Sequence, residues 1–535
     1  MKTILRYSLL LSIIILSLTS CEKSFNDVAN ENPNQAVSVP PSLLFNNIAY
    51  DMYDVPYTND QPQGEKLCQY FLVNYDYYGN NRYDLGSGKD YYSTLKNVIK
   101  MEESARNMGL PASNPYEALG KFFRSYFFTL MSLEMGDIPM SQALKGIENL
   151  TPVYDSQKTV FQQAFVWLDS ANLELSSLIT KKDNSLQNDI YLGNDLKKWQ
   201  KVVNTFHLRL LIHLSKRADD NSDMLAKEQF AKILTDKTTY PIMESASDNV
   251  QFNYIYPTNN YPNNPDNFGF DALRDNCSDT YVGLLRTLKD PRVYITSEPA
   301  SKLVDSLKLA PTDFNVFVGA NPGEDLGSMY IKTNSGLYSL INRYHYYRTY
   351  TAEPTLIISY AEMCFNIAEA INRGWIPSMT ATDAENYYTN GIKTSRAFYG
   401  IPDAGQMAVY FFKAGASLSD PNPYNTYAAD VDFSTYYNQT GVKYAGNNTN
   451  GLNQILEQRY IALFRHSGLE SYFTYRRTGV PVFGTGPGTG NSGRIALRFK
   501  YPANEVTANG TNYQAALDSQ YGGNDDINGK MWLVK

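Results

Sequence analysis

Four histidines, His207, His213, His345 and His466, are the whole supply of imidazole in this chain of 535 residues. His207 and His213 stand six apart, so they do not share a helix face as two metal ligands four apart would. They flank an apolar stripe instead, and no nucleophile sits at a spacing that would pair with either. "GTGNSG" (488–493) satisfies G-x-G-x-x-G, but it lies in a Gly/Pro loop before "RIALRF" rather than between a strand and a helix, where a dinucleotide would need it. "GSGKD" (86–90) lacks the first glycine and the hydroxyl residue of a phosphate loop, and no G-x-S-x-G occurs. "NDDING" (524–529) places Asn524, Asp526 and Asn528 at alternate positions before Gly529, like the front of a calcium loop, without the closing glutamate. Calcium is thus the one cofactor with any candidate residues. Fifty-four acidic residues could hide a glycosidase pair, yet no spacing singles one out.

One cysteine has a clearer chemistry. Lys2 and Arg6 precede the apolar run "LLLSIIILSL" (9–18), and Leu18-Thr19-Ser20 leads into Cys21. A run of roughly 10 residues is a signal-peptide core and too short to span a bilayer. Leu-x-x-Cys at that place resembles a bacterial lipobox, in which the thiol takes a diacylglycerol and residues 1–20 are removed. Acyl chains then hold the protein on a membrane, each buried CH₂ contributing about 0.8 kcal/mol. Cys68, Cys277 and Cys364 can form at most one bridge and have no metal spacing; Cys364 falls inside an apolar helical pattern.

The formal charge of −7 becomes −9 once Lys2 and Arg6 leave with the leader, which argues against nucleic acid as a partner. Tyrosine is the unusual residue, 43 against 4 tryptophans. A tyrosine ring joins an apolar body to a hydroxyl and suits a wet binding surface. Many tyrosines concentrate in three long stretches rich in Asn, Gly and Pro, at 69–92, 251–270 and 335–354. Long loops in compact proteins carry function, and their aromatic content opposes disorder. The candidate ligand surface is therefore Tyr75, Tyr77, Tyr78 and Tyr83 with Asn80 and Asn81 from the first loop. Tyr254, Tyr256 and Tyr261 with Asn259 come from the second, and Tyr344 and Tyr346 with Arg343 from the third.

The elements that must position these loops read as helices. Apolar residues at steps of three and four predict helices over 115–137 (Asn114 as cap), 156–179, 196–218, 355–375, 382–400 and 450–468. On 196–218, Trp199, Val202, Val203, Phe206, Leu210 and Leu214 form one stripe, so Trp199, like Trp375, reads as scaffold. Short turns pair several helices, and Ala361 and Ala368 allow close approach, which suits stacked hairpins of the tetratricopeptide kind. Residues 21–40 read as a lipidated cysteine and polar tether, and 41–535 as a single mostly α-helical domain.

Several stretches are familiar in combination. "NENPNQAVSVPPSLL" (30–44), "EMGDIPMSQALKGIENLTPVYDSQKTVF" (134–161), "DIYLGNDLKKWQKVVNTFHLRLLIHLSKRA" (189–218) and "LKDPRV" (288–293) are followed by "SYAEMCFNIAEAINRGW" (359–375), "YYTNGIKTS" (387–395) and "QRYIALF…GLESYFTYRRTGVPVF" (458–483). In this order, behind a lipobox, they resemble the SusD/RagB family of Bacteroidetes nutrient-binding lipoproteins, in its SusD-like subgroup. Tyr460 and Tyr472 stand where such proteins often carry Trp, and Met140 replaces a common Tyr. The resemblance implies a SusD-like fold of tetratricopeptide-like hairpins, anchored on the outer membrane and facing the cell exterior. It implies a protein that binds without cleaving, capturing oligosaccharide for a SusC-like TonB-dependent transporter. Peptide or another nutrient is the alternative ligand; a purely structural lid of the transporter and an unrecognised glycosidase are the rival roles. If Cys21 carries the anchor, Cys21→Ala leaves a folded protein in the soluble fraction; retention in the outer membrane without its transporter would reveal another attachment.

Overall fold

The computed structural model describes residues 39–53, 63–76, 79–465 and 468–535. Cys21, the tether up to residue 38, Tyr77, Tyr78 and His466 therefore lie outside the described residues. The chain is built mainly from helices: α1 (Pro41–Asp51), α2 (Tyr92–Asn107), α3 (Pro115–Met135), α4 (Gln157–Thr180), α5 (Leu196–His213), α6 (Ala226–Thr235), α7 (Asp279–Thr287), α8 (Leu326–Asn334), α9 (Tyr360–Asn372), α10 (Ala381–Phe398), α11 (Thr449–Ala462), α12 (Glu470–Thr478) and α13 (Gly510–Tyr521). Helices α1 to α6 pack in sequence order, α1 on α2, α2 on α3, α3 on α4, α4 on α5 and α5 on α6, while α9 packs on α5, α10 and α11. These are the expected stacked hairpins.

The helix starts follow from side-chain chemistry. The Asn114 Oδ1 accepts from the N–H groups of Tyr116 and Glu117 at 2.9 and 3.1 Å, satisfying donors that α3 cannot satisfy itself. Ser156 and Asp195 do the same for α4 and α5. The stripe on α5 is buried as its spacing requires: Trp199 is enclosed, its indole N–H donating to Asp189 Oδ2 at 2.9 Å. Trp375 is likewise buried, edge-on to Phe230. Gly391 of α10 lets it close on α9, since a Cβ there would stand 2.7 Å from the Phe365 ring.

Three expected helices are shortened. In 355–375, Thr355–Ile358 is a strand (β4) that pairs antiparallel with β2 (Val250–Phe252), and α9 begins only after Ser359 caps it. The four residues "TLII" are buried on both faces, which a strand between two layers provides and β-branched side chains favour. Helix α5 ends at His213 and continues as a 3₁₀ turn, Leu214–Lys216. Helix α11 ends at Ala462.

Two further antiparallel pairs are present among the described residues. β1 (Phe71–Val73) pairs with β3 (Asp275–Cys277), tying the first tyrosine-rich loop to the chain just after the second. β5 (Ala404–Phe412) and β6 (Tyr424–Asp432) form a nine-residue hairpin that the sequence reading did not identify. One continuous apolar core runs from Phe45 to Val534. Cys68, Cys277 and Cys364 are buried free thiols within it. Tyr460 and Tyr472 are buried too: the Tyr460 hydroxyl lies 2.9 Å from the carbonyls of Cys68 and Gln69, and Tyr472 donates to the Ala496 carbonyl at 2.6 Å. Phe206 packs against Phe122 and Tyr126 in this core. Phe206→Ala should therefore cost about 3–5 kcal/mol through lost transfer and a residual cavity, read as a fall in the denaturation midpoint.

Candidate functional site

The three tyrosine-rich loops separate into rings that serve the core and rings that face outward. Five of the expected ligand residues are buried, and each has a structural partner. Tyr83 donates to the Leu67 carbonyl at 2.8 Å. Asn81 clasps the end of β1, its amide bonding both the N–H and the carbonyl of Val73 at 2.9 and 2.8 Å. Tyr254 shares hydroxyl bonds with Tyr53 (2.9 Å) and Thr355 (2.8 Å). Tyr261 lies edge-on to Tyr254, and Tyr346 lies under the guanidinium of Arg465 at 4.8 Å. The reason is general: a long loop closed onto a scaffold must satisfy its own backbone, and a buried tyrosine supplies both filler and a hydrogen bond.

The remaining residues line an outer face. Tyr256 is 58% exposed and rests against Tyr350 of the third loop, ring centroids 4.4 Å apart. Tyr350 in turn donates to Asp266 at 2.9 Å, joining the two loops. Asn259 closes the small turn that presents Tyr256, exchanging backbone bonds with Ile255 at 2.7 and 2.8 Å. Tyr344 stacks on Tyr410 of β5 (4.1 Å, 14°), with Tyr424 of β6 edge-on and the Arg348 guanidinium 4.3 Å from its ring. Tyr75 is 40% exposed, and the Arg274 guanidinium lies 4.8 Å from its ring and 5.4 Å from that of Tyr330 on α8. Asn80 is exposed and accepts from the Arg82 N–H at 2.9 Å.

The Tyr424 ring lies edge-on to Phe412, centroids 5.5 Å apart, and Phe412 lines a cleft of about 600 Å³. Arg343 lines it, held by Glu298 through Nε and Nη2 at 3.0 and 2.6 Å and lying 4.5 Å from the Phe412 ring. Phe268 lies against Phe412 from the opposite side, ring centroids 5.0 Å apart. Residues 268–274 thus pass from the cleft to the Tyr75 cluster in a few steps. Apolar ring faces beside a fixed guanidinium–carboxylate pair make a surface for a polar ligand with apolar patches. Tyr330, Tyr350, Tyr410, Tyr424 and Arg348 were not singled out from sequence. The alternation in "QMAVYFF" is the signal that would have placed Tyr410 on a strand face.

The calcium-like turn is held by its own hydrogen bonds. The Asp526 carboxylate accepts from the Asn528 N–H at 2.9 Å, and the Asn528 amide pairs with that of Asn491 at 2.8 and 3.0 Å. Asn524, Asp526 and Asn528 lie in the bend and turn that follow α13, and among the described residues no group of three His, Cys, Asp or Glu could hold a metal ion. His207 is buried and stacked on Phe165, and burial lowers its pKa to about 3.

Beneath the outer face sits one charged anchor. The buried Arg465 donates from its backbone N–H to Glu65 Oε2 at 3.1 Å, from Nε to the Tyr261 hydroxyl at 3.3 Å, and from Nη2 to Asn263 Oδ1. Burial pushes the Glu65 carboxyl up to about 8, and Arg465 offsets only part of this. The unfolded chain gives up that proton near 4.5 while the folded protein keeps it to about 8, so this group costs stability progressively as pH rises between those values. Glu65→Gln should remove that loss: its denaturation midpoint should stay level from pH 5 to 8 relative to the falling midpoint of the native protein.

Comparison with known proteins extends this picture. A SusD homologue from Bacteroides fragilis superimposes with a TM-score of 0.77 at 27% identity, covering 93% of this chain and 100% of its own. A second B. fragilis SusD homologue gives 0.73 at 27% identity, with the same coverage. A chitin-binding SusD homologue from Flavobacterium johnsoniae gives 0.68 at 19% identity, covering 92% of this chain and 98% of its own, and so shares the fold. No curated protein matches. Residues 33–502 match the family model described as "Starch-binding associating with outer membrane", and by that match the chain belongs to the SusD-like family.

Proposed function

We propose that this protein is a lipid-anchored receptor on the outer membrane, facing the cell exterior, that binds oligosaccharide on the Tyr256–Tyr350 and Tyr344–Tyr410 face and delivers it to a SusC-like TonB-dependent transporter. The observation that carries this reading is the Tyr344–Tyr410–Tyr424 ring group, which adjoins through Phe412 a cleft with a fixed guanidinium and carboxylate. Sugar rings have one face rich in C–H groups, which stack on tyrosine, and a rim of hydroxyls, which bond to Arg, Glu and Asn side chains. Membership of the SusD-like family supports the outer-membrane location and the transporter partnership. Among the described residues no helix is long and apolar enough to cross a membrane, so attachment falls to Cys21 in this reading. The protein holds its ligand and leaves cleavage to other proteins.

Calorimetric titration of the soluble protein with a panel of oligosaccharides and peptides tests the reading, with product release followed in parallel. A stacked ring contributes about 1 kcal/mol, so Tyr256→Ala and Tyr344→Ala should each weaken oligosaccharide binding several-fold while leaving the denaturation midpoint nearly unchanged. Tyr83→Ala should do the reverse, lowering the midpoint. Binding confined to peptides would replace the ligand class, binding of nothing would favour a structural lid, and sugar release would mark a glycosidase.

A further inference from the structure

A second cleft, of about 490 Å³, opens where the start of α9 meets the end of α10 and the segment leading into β2. Its volume lies in the range of small-ligand sites. None of the described residues lining it is charged. A neutral ligand is therefore the one it fits, since an anion or cation would enter without a counter-charge.

Three of its polar groups converge at the start of α9 and the edge of β2. Of the first three N–H groups of α9, Tyr360 donates to Asn249 Oδ1 at 2.8 Å and Glu362 donates to Ser359 Oγ at 3.3 Å. The N–H of Ala361, between them, has no partner among the described residues, and Ala361 lines the cleft. Asn249 is only 8% exposed and also lines it. Its Oδ1 is taken by Tyr360, while its Nδ2 has no partner among the described residues. Two donors thus look for one acceptor oxygen at the positive end of a thirteen-residue helix. On the β2 side, Gln251 donates to Asn253 at 3.0 Å and keeps its own carbonyl oxygen as an acceptor.

The rest of the lining combines apolar side chains with the hydroxyls of Ser245, Ser359, Thr394 and Ser395. Ala361, Ala397 and Ala462 leave room for a methyl group, and the Tyr360 and Phe398 rings provide walls for a ring face. A group that combines a carbonyl oxygen, an N–H and a methyl meets the two donors, the Gln251 oxygen and the alanines together.

We propose that this cleft is a second sugar site that recognises an acetamido group, so that the protein takes up oligosaccharides carrying N-acetylhexosamine. The inference rests on the reading of the protein as an oligosaccharide binder. The acetamido oxygen accepts from Ala361 N–H and Asn249 Nδ2, the N–H donates to Gln251, and the methyl meets the alanines. Gln251 opens the second tyrosine-rich loop and Pro354 closes the third, so the cleft lies at the base of the loops that carry the outer rings.

The test compares pairs of sugars that differ in the acetamido group: tetra-N-acetylchitotetraose against cellotetraose, and N-acetyllactosamine against lactose. Calorimetry should show at least tenfold tighter binding for the acetamido member of one pair. Asn249→Asp keeps the oxygen that caps Tyr360 but exchanges the donor for an acceptor, and it should erase the preference with the midpoint unchanged. Ala397→Leu, at an exposed position, should erase it by filling the cleft. Tyr256→Ala should weaken both members alike and keep the preference. Equal binding within both pairs, or a preference that survives Asn249→Asp and Ala397→Leu, overturns the acetamido site and leaves oligosaccharide binding in place. Failure of every oligosaccharide in the wider panel overturns the binding reading itself.

Discussion

Four helices meet on one buried ionic network, and it sets the register of the scaffold on which the second tyrosine-rich loop is rooted. Arg209 of α5 clasps Glu362 of α9 through Nε at 2.8 Å and through Nη2, which also donates to the Ile357 carbonyl at 2.8 Å. Arg459 of α11 reaches the same carboxylate at 2.9 Å, Glu470 of α12 at 3.2 Å, Asn366 at 3.0 Å and Thr474 at 2.6 Å. All these charges are buried. Such a network adds little net stability over well-packed apolar side chains, but it is unforgiving: an arginine out of register leaves a carboxylate unpaired in the interior. It therefore fixes the axial positions of α5, α9, α11 and α12 more tightly than greasy contacts could. The Ile357 bond carries that registration to β4 and, through β2, to the root of the second tyrosine-rich loop.

A second network of the same kind acts below the outer face. Asp290 and Arg292 pair with both side chains fully enclosed, Nη2 to Oδ2 at 2.6 Å, and Arg292 also reaches Gln458 at 2.6 Å and Ser395 at 2.9 Å. This explains why "LKDPRV" stands out in the sequence. Its polar residues lock α10 and α11 to the segment after α7. The scaffold is thus held by a few charged clasps set in apolar packing, and the tyrosine-rich loops are fastened to it by Arg465 and its partners.

The helices were legible because their signals are local. Apolar steps of three and four, with Asn114, Ser156 and Asp195 as caps, place α3, α4 and α5 closely. Boundaries failed where tertiary pairing overrode local pattern, as in "TLII", whose apolar run is read equally well by a helix or a buried strand. The candidate site was legible only as a region. Tyr83 and Tyr75 sit eight residues apart in one loop with similar neighbours, yet one is sealed under Leu67 and the other faces outward. Nothing local separates them; the difference is made by what the loop folds onto. The partners Tyr410 and Tyr424 come from a hairpin distant in sequence, so their part in the surface is visible only in three dimensions.

The β5–β6 hairpin has a consequence for how recognition could diversify. Its nine cross-strand pairs run unbroken from Ala404↔Asp432 to Phe412↔Tyr424, and its base is tied off by a bond from the Phe433 N–H to the Asp403 carbonyl. The register is thus settled within the strands themselves. The tip, residues 413–423, lies beyond them, yet Lys413 to Ser417 form part of the cleft wall. Lengthening, shortening or replacing the tip would reshape the cleft mouth while Tyr410 and Tyr424 keep their places. The hairpin thus separates a replaceable tip from a frame fixed by its own register, and a new ligand preference can be acquired there by insertion or recombination with little penalty to folding.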